Sequence, residues 1–485
     1  MNQVKTIAKN ISSLGIAHAV TLTLGSIVVI FIARYLGDVG YGKYSFAVAF
    51  TALFSILSDL GLSTLTIRDV ARDKSQAGRY LGQISALKVI LAIATLLLIV
   101  IVINVLDYPK ETTLAVYIIG ASVIIDTFTR FFFSITSAFE KMEYEAAIKI
   151  LRTIILFSLV LPVIHFNYGL IPIVSSYLVA SILSFVLSIF VILKKFAKPK
   201  FEKDFDFWRK TTKEALPFAL TAVFGMVFFR VDTVMLSVMK GDAVTGWYSA
   251  ACNLIFALMV IPTIYGIAIF PVLSKYYGSA RSSFDKVGTL SFKFLLMVGL
   301  PISVGVTLLA EKIIQLVYGS AYINSAYALQ ILVWVFFINC ICIAPFHALN
   351  SANKQHLVMI SEGIAAVLAV LLNLLLIPIY GLIGAASATV IAFASTTSLY
   401  FYFSNRYTLR IRLVNGDFVK IMAAGLVMGL FIFYFHSNLF LVIASSAVIY
   451  LALLILTKAL SNEDLMLFRE IFPRRKVDNV EKHFK

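Results

Sequence analysis

The sequence has 485 residues, of which 60% are hydrophobic and only 14% are charged, and its mean hydropathy is +0.93. A soluble domain carries about 25% charged residues, so this composition excludes an ordinary soluble protein. The formal net charge is +16. The basic residues gather between apolar runs, where anionic lipid head groups are their natural counterpart. We therefore predict a membrane protein that has membrane lipids, and no nucleic acid, as partners.

Apolar runs long enough to cross a bilayer follow one another along the chain. Only helices and closed barrels satisfy backbone hydrogen bonds in lipid, and runs of this length favour helices. The predicted fold class is therefore an all-α polytopic membrane protein with about fourteen transmembrane helices. The predicted spans are 12–36, 44–67, 81–106, 113–138, 143–165, 169–193, 216–239, 245–273, 288–309, 323–349, 356–378, 381–404, 416–435 and 439–459.

Lysine and arginine alternate between the connections. The even-numbered connections are basic, above all 194–215, whereas the odd-numbered ones hold little beyond Lys43, Lys110, Lys240 and Lys312. Because cytoplasmic loops carry the excess of basic residues, this alternation predicts that both termini and the 194–215 connection are cytoplasmic.

Two motifs occur twice. Gly37-Asp-x-x-x-Gly-x-Tyr-Ser45 returns 204 positions later as 241–249, and Tyr-Gly-Leu-Ile at 168–171 returns 212 positions later at 380–383. Each copy stands at the same point of a six-span unit, so the halves run in parallel and we expect the working site between them. The predicted parts are an N-terminal six-helix bundle (1–193), a basic cytoplasmic linker (194–215), a C-terminal six-helix bundle (216–405), two additional transmembrane helices (406–460) and a basic cytoplasmic tail (461–485).

Four stretches carry a family resemblance: Ala33–Gly37, Tyr41–Ser45, Ser58–Ser63 followed by Arg68–Arg72, and Arg230–Leu236. With them the chain resembles the polysaccharide transporter family of Wzx-type flippases, in the MOP superfamily of MATE exporters and lipid II flippases. The resemblance implies a V-shaped, MATE-like transporter in a prokaryotic cytoplasmic membrane. It also implies a substrate, an oligosaccharide linked to polyprenyl phosphate or diphosphate, which is moved from the inner to the outer leaflet by ion-coupled alternating access. Glycosyltransferases or a polymerase of the same pathway would be its protein partners.

Charges inside the apolar runs mark the candidate site, because a charge at mid-bilayer costs about 2.5–3.5 kcal/mol on insertion scales. Arginine holds phosphate with paired N–H groups, and lysine offers a point charge. The substrate-binding candidates are Arg230, Arg130 and Lys88. A carboxylate can take up H⁺ or Na⁺ and so bias two states. The ion-coupling candidates are Asp232, Asp126 and Glu362, with no other cofactor expected.

The neighbours of these charges are predicted from helical spacing. Arg230 and Asp232 are two residues apart, about 200° around a helix, and should not pair. Asp126 and Arg130 are four apart and should form an ion pair, structural or functional. Lys149 and Arg152 are expected to extend to the membrane interface. Glu362 would either take a proton or pair with a basic neighbour.

Two other functions are alternatives for a chain of this kind. A MATE-like exporter of small cations would favour an acidic cavity with few arginines. A membrane enzyme of polysaccharide assembly usually has a long outer loop, which is absent, and the sequence holds no His-Glu-x-x-His motif or glycine-rich phosphate loop. Cys340-Ile-Cys342 is interpreted as packing, because no histidine or third cysteine stands at metal-ligand spacing. The sequence predicts a transporter and not an enzyme.

Overall fold

The computed structural model describes residues 3–200, 204–409, 416–435 and 438–459, with side chains from residue 17 onward. The predicted tail 461–485 lies outside these ranges. The regular structure within them is helical, which confirms the all-α class. Short 3₁₀ turns stand at Ile56–Ser58, Lys74–Gln76 and Ser320–Tyr322. The α-helices are α1 (Gln3–Ser55), α2 (Leu62–Arg72), α3 (Ala77–Val105), α4 (Lys110–Ala138), α5 (Met142–His165), α6 (Leu170–Lys195), α7 (Phe205–Lys240), α8 (Asp242–Leu258), α9 (Val260–Tyr277), α10 (Arg281–Val317), α11 (Ser325–Ser351), α12 (Gln355–Tyr407), α13 (Gly416–Tyr434) and α14 (Leu439–Leu456).

Two helices are too long for a single span. Twelve helical segments of the described chain are long and apolar enough to cross a membrane. Helices α1 and α12 have 53 residues each. At 1.5 Å per residue such a helix would be roughly 80 Å long, against about 30 Å of hydrocarbon. Both α1 and α12 contain one glycine with non-helical backbone angles, Gly37 and Gly381. Division there would give the fourteen spans expected, a count that stays a prediction.

The duplication is visible in the backbone. Gly37 has φ 69° and ψ 179°, and its repeat counterpart Gly241 has φ 82° and ψ −177°. Gly169 and Gly381, in the two Tyr-Gly-Leu-Ile copies, also have positive φ. Glycine adopts these angles without the strain that a Cβ would cause. The turn residues therefore recur because each half needs the same turns.

The halves meet where the duplicated motifs lie. Helix α1 packs against α8, and a Cβ on Gly42 would overlap the carbonyl oxygen of Asp242. A Cβ on Gly246 would likewise overlap the carbonyl oxygen of Asp38. In the first contact the glycine belongs to the first motif copy and the carbonyl to the second, and in the other contact this assignment is reversed. A pseudo-twofold axis between parallel halves requires this pattern. Both motif copies therefore lie at the same end of the molecule.

The halves differ at the other end. Helix α1 stops at Ser55, and the chain turns through Leu60 and Gly61, both at positive φ, into the short helix α2. The corresponding part of the second half continues from α8 into α9 with a break only at Met259. Helix α7 begins at Phe205, inside the predicted linker, and its first turns contact α2 and α3 of the N-terminal half. Helices α13 and α14 pack on α10, outside the repeat.

Candidate transport cavity

A cavity of about 200 Å³ lies between α1 of the N-terminal half and the helices of the C-terminal half. Its wall is mostly aromatic and aliphatic, with a few polar groups, which is the usual composition of a small-molecule site. Tyr44 and Tyr248, which we call the motif tyrosines because each belongs to one copy of the first repeated motif, both line it. The lining includes Val29, Tyr41, Tyr44, Ser45, Val48, Phe228, Phe229, Arg230, Asp232, Thr233, Tyr248, Ser249, Cys252, Asn253, Phe256, Leu332, Val335, Thr389 and Phe393.

Arg230 is the cation of this cavity wall. Its guanidinium carbon lies 5.8 Å from the centre of the Phe256 ring, within cation–π range. In the described part of the chain it has no hydrogen-bond acceptor and no carboxylate within ion-pair distance, and as expected it does not pair with Asp232. The hydroxyl of Ser249, also in the lining, is buried without a partner. The N–H groups of Arg230 are therefore available to an anion that enters the cavity.

Asp232 is the buried carboxylate of the same wall, with only 5% of its surface exposed. Its Oδ2 accepts hydrogen bonds from the hydroxyls of Tyr248 at 2.5 Å and Thr389 at 3.3 Å. Its Oδ1 accepts from the backbone N–H and hydroxyl of Thr233, at 2.6 and 3.2 Å. These donors come from α7, α8 and α12, so a change at this carboxylate acts on three helices.

The motif tyrosines occupy equivalent positions in the two halves. Tyr44 donates to the hydroxyl of Tyr177 at 2.6 Å, and Tyr248 bonds to Thr389 at 3.0 Å. Tyr177 and Thr389 are 212 positions apart, the offset of the second repeated motif. The position equivalent to Asp232 in the first half is Val28, 204 residues earlier. The halves therefore share the tyrosine network, but only the second half adds a carboxylate to it.

Beyond one end of the cavity the halves are joined by the glycine contacts, which we call the outer closure (Asp38, Gly42, Asp242 and Gly246) after the predicted topology. Trp247 Nε1 donates to Asp38 Oδ2 at 3.0 Å across it. Nearby, the hydroxyl of Tyr322 donates to the carbonyl of Ala33 at 2.6 Å, and Arg34 donates to the carbonyls of Leu316 and Val317. Arg34 of α1 thus bonds to the opposite half.

Beyond the other end lies what we call the inner closure (Gly61, Arg68, Arg79, Asp204 and Glu214). A Cβ on Gly61 would overlap the backbone of α7, and Arg68 and Arg79 form ion pairs with Glu214 and Asp204 at 2.5 and 2.6 Å. The backbone N–H of Phe207, together with the Arg79 guanidinium, holds the pKa of the Asp204 carboxyl below its ordinary value. The first turns of α7 are thus fixed to the N-terminal half by polar side chains.

The expected pair of Asp126 and Arg130 is wrong. Asp126 accepts from Arg152 of α5 at 2.6 Å, and Arg152 also donates to Ser181 of α6 at 3.2 Å. Arg152 therefore does not extend to the interface, and Lys149 pairs with Glu145 at 2.5 Å. An acceptor on a neighbouring helix competes with one a turn away, and spacing along one helix does not reveal it.

Lys88 does not line the cavity, because its side chain is fully buried and its Nζ donates to Asp59 at 2.5 Å. Asp59 also accepts from the hydroxyl of Ser63 at 2.5 Å. Sequence reasoning missed Asp59, although the Ser58–Ser63 stretch that carried the family resemblance contains it. Arg130 lies near this pair, exposed and without an ion pair or hydrogen bond in the described residues.

Glu362 lies on α12, apart from the cavity lining. Its Oε1 accepts from the hydroxyl of Tyr400 at 3.3 Å. It forms no ion pair with a described residue, so the expectation of a basic neighbour is not met. The candidates thus fall into three places: Arg230 and Asp232 on the cavity, Asp126, Arg130 and Lys88 in the N-terminal bundle, and Glu362 on α12 outside the cavity lining.

The model of the family described as "Polysaccharide biosynthesis protein" matches residues 7–277, more than half of the chain. This chain belongs to the polysaccharide biosynthesis protein family. That result confirms the resemblance found in the sequence and, with it, the assignment to transporters and not enzymes. A second model, MatE, matches residues 217–375 in the C-terminal half.

Named relatives of this family member are distant. It is 21% identical over 402 residues to a protein named "Probable low-salt glycan biosynthesis flippase Agl15" in Haloferax volcanii, covering 83% of this chain and 84% of that one. It is 23% identical over 379 residues to a protein named as an O-antigen transporter in Shigella flexneri, covering 73% and 87%. The fold is similar to a lipid II flippase MurJ in an inward closed conformation, with TM-score 0.77 and 18% identity over 93% of this chain and 99% of that one. This likeness shows the fold, and it agrees with the predicted all-helical transporter fold class.

Proposed function

We propose that this protein moves an oligosaccharide, linked to a polyprenyl phosphate or diphosphate, from the inner to the outer leaflet of the cytoplasmic membrane. The family and the names of its relatives support a polysaccharide precursor as substrate. Both termini would be cytoplasmic, as the basic connections predict.

The observation that carries the proposal is an arginine that pairs with no carboxylate of the described residues, in a cavity between two duplicated halves. A phosphate or diphosphate fits the N–H fork of Arg230. Tyr41 and Tyr44, with Ser249 and Asn253, line the cavity and would offer aromatic contact and hydrogen bonds to a sugar. The lipid tail would stay in the bilayer, so only the head group has to enter.

We propose that a proton taken up at Asp232 drives the cycle. Four hydrogen bonds are donated to this carboxylate, two from Thr233 and one each from Tyr248 and Thr389. Such bonds are stronger to a charged acceptor than to a neutral one. A proton would remove the charge that these donors solvate. Among the described residues no cluster of three or more histidine, cysteine or carboxylate side chains is placed to hold a metal. Coupling to Na⁺ is an outcome that the test distinguishes. Glu362 and Asp126 remain candidates, further from the cavity.

The two closures supply the movement that such a transporter needs. They lie beyond opposite ends of the cavity, so opening one while the other stays closed would expose Arg230 to one side of the membrane at a time. An ion can drive this change only through its different affinity for the two states. The expected cycle opens the inner closure to load the head group and the outer closure to release it.

The exporter alternative has one observation in its favour, the MatE match over the C-terminal half. A cavity for organic cations would place its acidic group without a competing cation. Here Arg230 stands in the same wall as Asp232, two residues away. The charge of the wall therefore favours an anionic head group, and the exporter is retained as a second outcome of the test.

The test is a flipping assay on purified protein in liposomes. The probes are a fluorescent polyprenyl-diphosphate oligosaccharide, the same glycan on polyprenyl monophosphate, and a fluorescent organic cation. We expect proton-dependent movement of at least one lipid-linked glycan and none of the cation. Movement of the cation alone would overturn the proposal in favour of the exporter. Dependence on Na⁺ at constant pH would replace the proton.

Arg230→Gln tests the role of the cavity cation. We expect a loss of about 2 kcal/mol, or roughly thirtyfold in transport, because a hydrogen-bonded charge contact contributes about 1.5–3 kcal/mol. Arg230→Lys should retain part of the rate. Arg209→Gln is the matched control, since Arg209 is exposed on the same helix, outside the cavity. Equal rates for Arg230→Gln and Arg209→Gln, at equal amounts of folded protein, would remove Arg230 from the mechanism.

A further inference from the structure

We infer that the two motif copies form one gate, the outer closure, and that Tyr248 is the positioning residue through which Asp232 controls it. The inference rests on the proposed function and adds to it the connection between the coupling site and the gate. The duplicated motif thereby acquires two functions. Its glycines make the contact between the halves, and one of its tyrosines connects that contact to a carboxylate.

The gate function follows from the geometry of the glycines. Each glycine is pressed against the backbone of the other copy, at Asp242 and at Asp38, with no room for a Cβ. The two backbones are this close in only one arrangement of α1 relative to α8, so a small shift of either helix separates them. Packed interfaces of this kind switch between discrete arrangements and do not deform gradually. The contact therefore suits a gate with a closed and an open position.

The connection to Asp232 runs through α8. Tyr248 lies two residues after Gly246, in the first half of this helix, and is fully buried. Its hydroxyl bonds to Asp232 of α7 and to Thr389 of α12. These bonds fix the start of α8 against the C-terminal bundle. The position of Gly246 at the gate is therefore set by the state of the Asp232 carboxylate.

The N-terminal half supplies a natural comparison. Tyr44 also lies two residues after a gate glycine, Gly42, and its hydroxyl bonds to Tyr177. Val28 stands where the second half has Asp232, so this copy of the network contains no carboxylate. Among the described residues, the tyrosine that bonds directly to a carboxylate is Tyr248; on the other side Tyr177 lies near Arg152, which is paired with Asp126. The duplication gives a symmetric gate with control on one side.

Uptake of a proton at Asp232 would open the gate. An O–H donated to a carboxylate is roughly twice as strong as a neutral hydrogen bond, and protonation removes that charge. The charged and titratable groups facing Asp232 are Arg230 on its own helix and Tyr248 and Cys252 on α8, while α12 contributes the neutral Thr389. Asp232 is the carboxylate among these groups, and the hydroxyl of Tyr248 joins it to α8, the helix that carries the gate residue Gly246.

The experiment reads the gate directly, without substrate. Spin labels are placed at Lys110→Cys and Ser320→Cys, both exposed near the predicted outer ends of the two halves, after Cys252, Cys340 and Cys342 are replaced by alanine. The distances between the two spin labels are measured by double electron–electron resonance in lipid nanodiscs at about pH 8 and about pH 5.5. For the otherwise unchanged protein we expect the long-distance population to rise about fivefold at the lower pH.

Tyr248→Phe should give one distance distribution at both pH values, because the hydroxyl that transmits the change is gone. Tyr44→Phe is the matched variant of the other repeat and should keep the pH response. Asp232→Asn should match the low-pH distribution throughout, and it carries the test if Tyr248→Phe does not yield folded protein. A repeat with Na⁺ exchanged for choline at constant pH separates the two ions.

Each outcome decides the inference. A normal pH response in Tyr248→Phe, or an equal loss in Tyr44→Phe, would overturn the assignment of Tyr248. A distance change that follows Na⁺ and ignores pH would overturn proton control. Because the gate is read without substrate, failure of the flipping assay would leave this result unaffected. A flipping protein whose gate ignores both ions would overturn only the present inference.

Discussion

The two closures hold the halves together by different physical means. The outer closure presses glycine against backbone twice, with the repeats in exchanged roles. The inner closure has one such contact, at Gly61, and adds ion pairs between half-exposed side chains, Arg68 with Glu214 and Arg79 with Asp204. Symmetry is thus kept at one end and lost at the other, where α2 replaces a continuous helix.

This difference predicts how each end responds. Backbone contacts depend on shape, are insensitive to salt and tolerate almost no added volume. Ion pairs between exposed groups contribute little individually and weaken as salt is added. The outer end should therefore switch sharply under control of Asp232, and the inner end should respond gradually to the ionic conditions on its side of the membrane.

The largest effect is expected where a buried charge supports the inner closure. Lys88 is fully buried and paired with Asp59, which lies in the turn that leads to Gly61. Lys88→Met would leave Asp59 without this partner, and breaking a buried pair costs about 3–5 kcal/mol. We expect a clearly lower melting temperature in detergent, measured by fluorescence.

Lys286→Met is the control for this loss, since Lys286 is exposed and a similar change of side chain there should leave the melting temperature unchanged. Restoring most of the loss by a second change, Asp59→Leu, would confirm that the unpaired carboxylate causes it. A melting temperature for Lys88→Met equal to that of the control would contradict the buried pair.

The next largest effect concerns the shape of the outer closure. Gly246→Ala places a methyl group on the carbonyl of Asp38, and overpacking of this kind costs about 1–3 kcal/mol. The ratio of molecules with the outer closure closed to those with it open should fall roughly 5- to 150-fold. The measurement is the distance between labels at Lys110 and Ser320. Gly225→Ala controls for helix propensity, because nothing lies within 4 Å of the added Cβ. An unchanged distance in Gly246→Ala would refute the close contact.

A smaller effect is expected from the ion pairs of the inner closure. Arg79→Gln removes the partner of Asp204, and an exposed pair of this kind contributes little to stability. The fraction of molecules in which the inner closure is open should rise at most about fivefold. High salt should produce a similar rise in the unchanged protein. Labels at Ala71 and Ser282, both exposed, report this end. The ion-pair account fails if salt has an equal effect at the outer end.

The smallest effect is a pH dependence at Asp204. The backbone N–H of Phe207 and the Arg79 guanidinium lower the pKa of its carboxyl. A lowered pKa means that the stabilisation is present above the ordinary value, about 3.9, and is lost as the pH falls through the lowered one. The distance between labels at Ala71 and Ser282 should thus stay constant down to about pH 4. It should lengthen only below that pH, and the Asp204→Asn variant should lack this step. Lengthening near neutral pH would point to another group.

The sequence was most informative where the chain repeats itself. Five identities at one offset gave the duplication, and Gly37 and Gly241 indeed adopt the same turn. Two charges deep in one apolar run indicated the cavity wall, where Arg230 and Asp232 both lie. Such features can be read from a sequence because repetition and apolar length are properties of the chain itself, independent of which helices become neighbours.

The partners of the charges were not predictable in the same way. Spacing along α4 favoured Arg130 for Asp126, but helix packing brings Arg152 closer. Asp59 lies inside the predicted span 44–67, but the sequence does not indicate that its partner is Lys88 of α3. The link between Tyr248 and Asp232 joins two helices across the bundle. In each case the deciding neighbour belongs to another helix, and a single sequence does not record the packing that selects it.

The most direct test of the central claim, alternating closure around the Arg230–Asp232 cavity, is to measure both ends in the same conditions. One sample carries labels at Lys110 and Ser320, the other at Ala71 and Ser282, and both are measured with and without a lipid-linked oligosaccharide at about pH 8 and about pH 5.5. We expect each condition that lengthens one distance to leave the other short. Long distances at both ends within one condition would show an open passage and contradict the account.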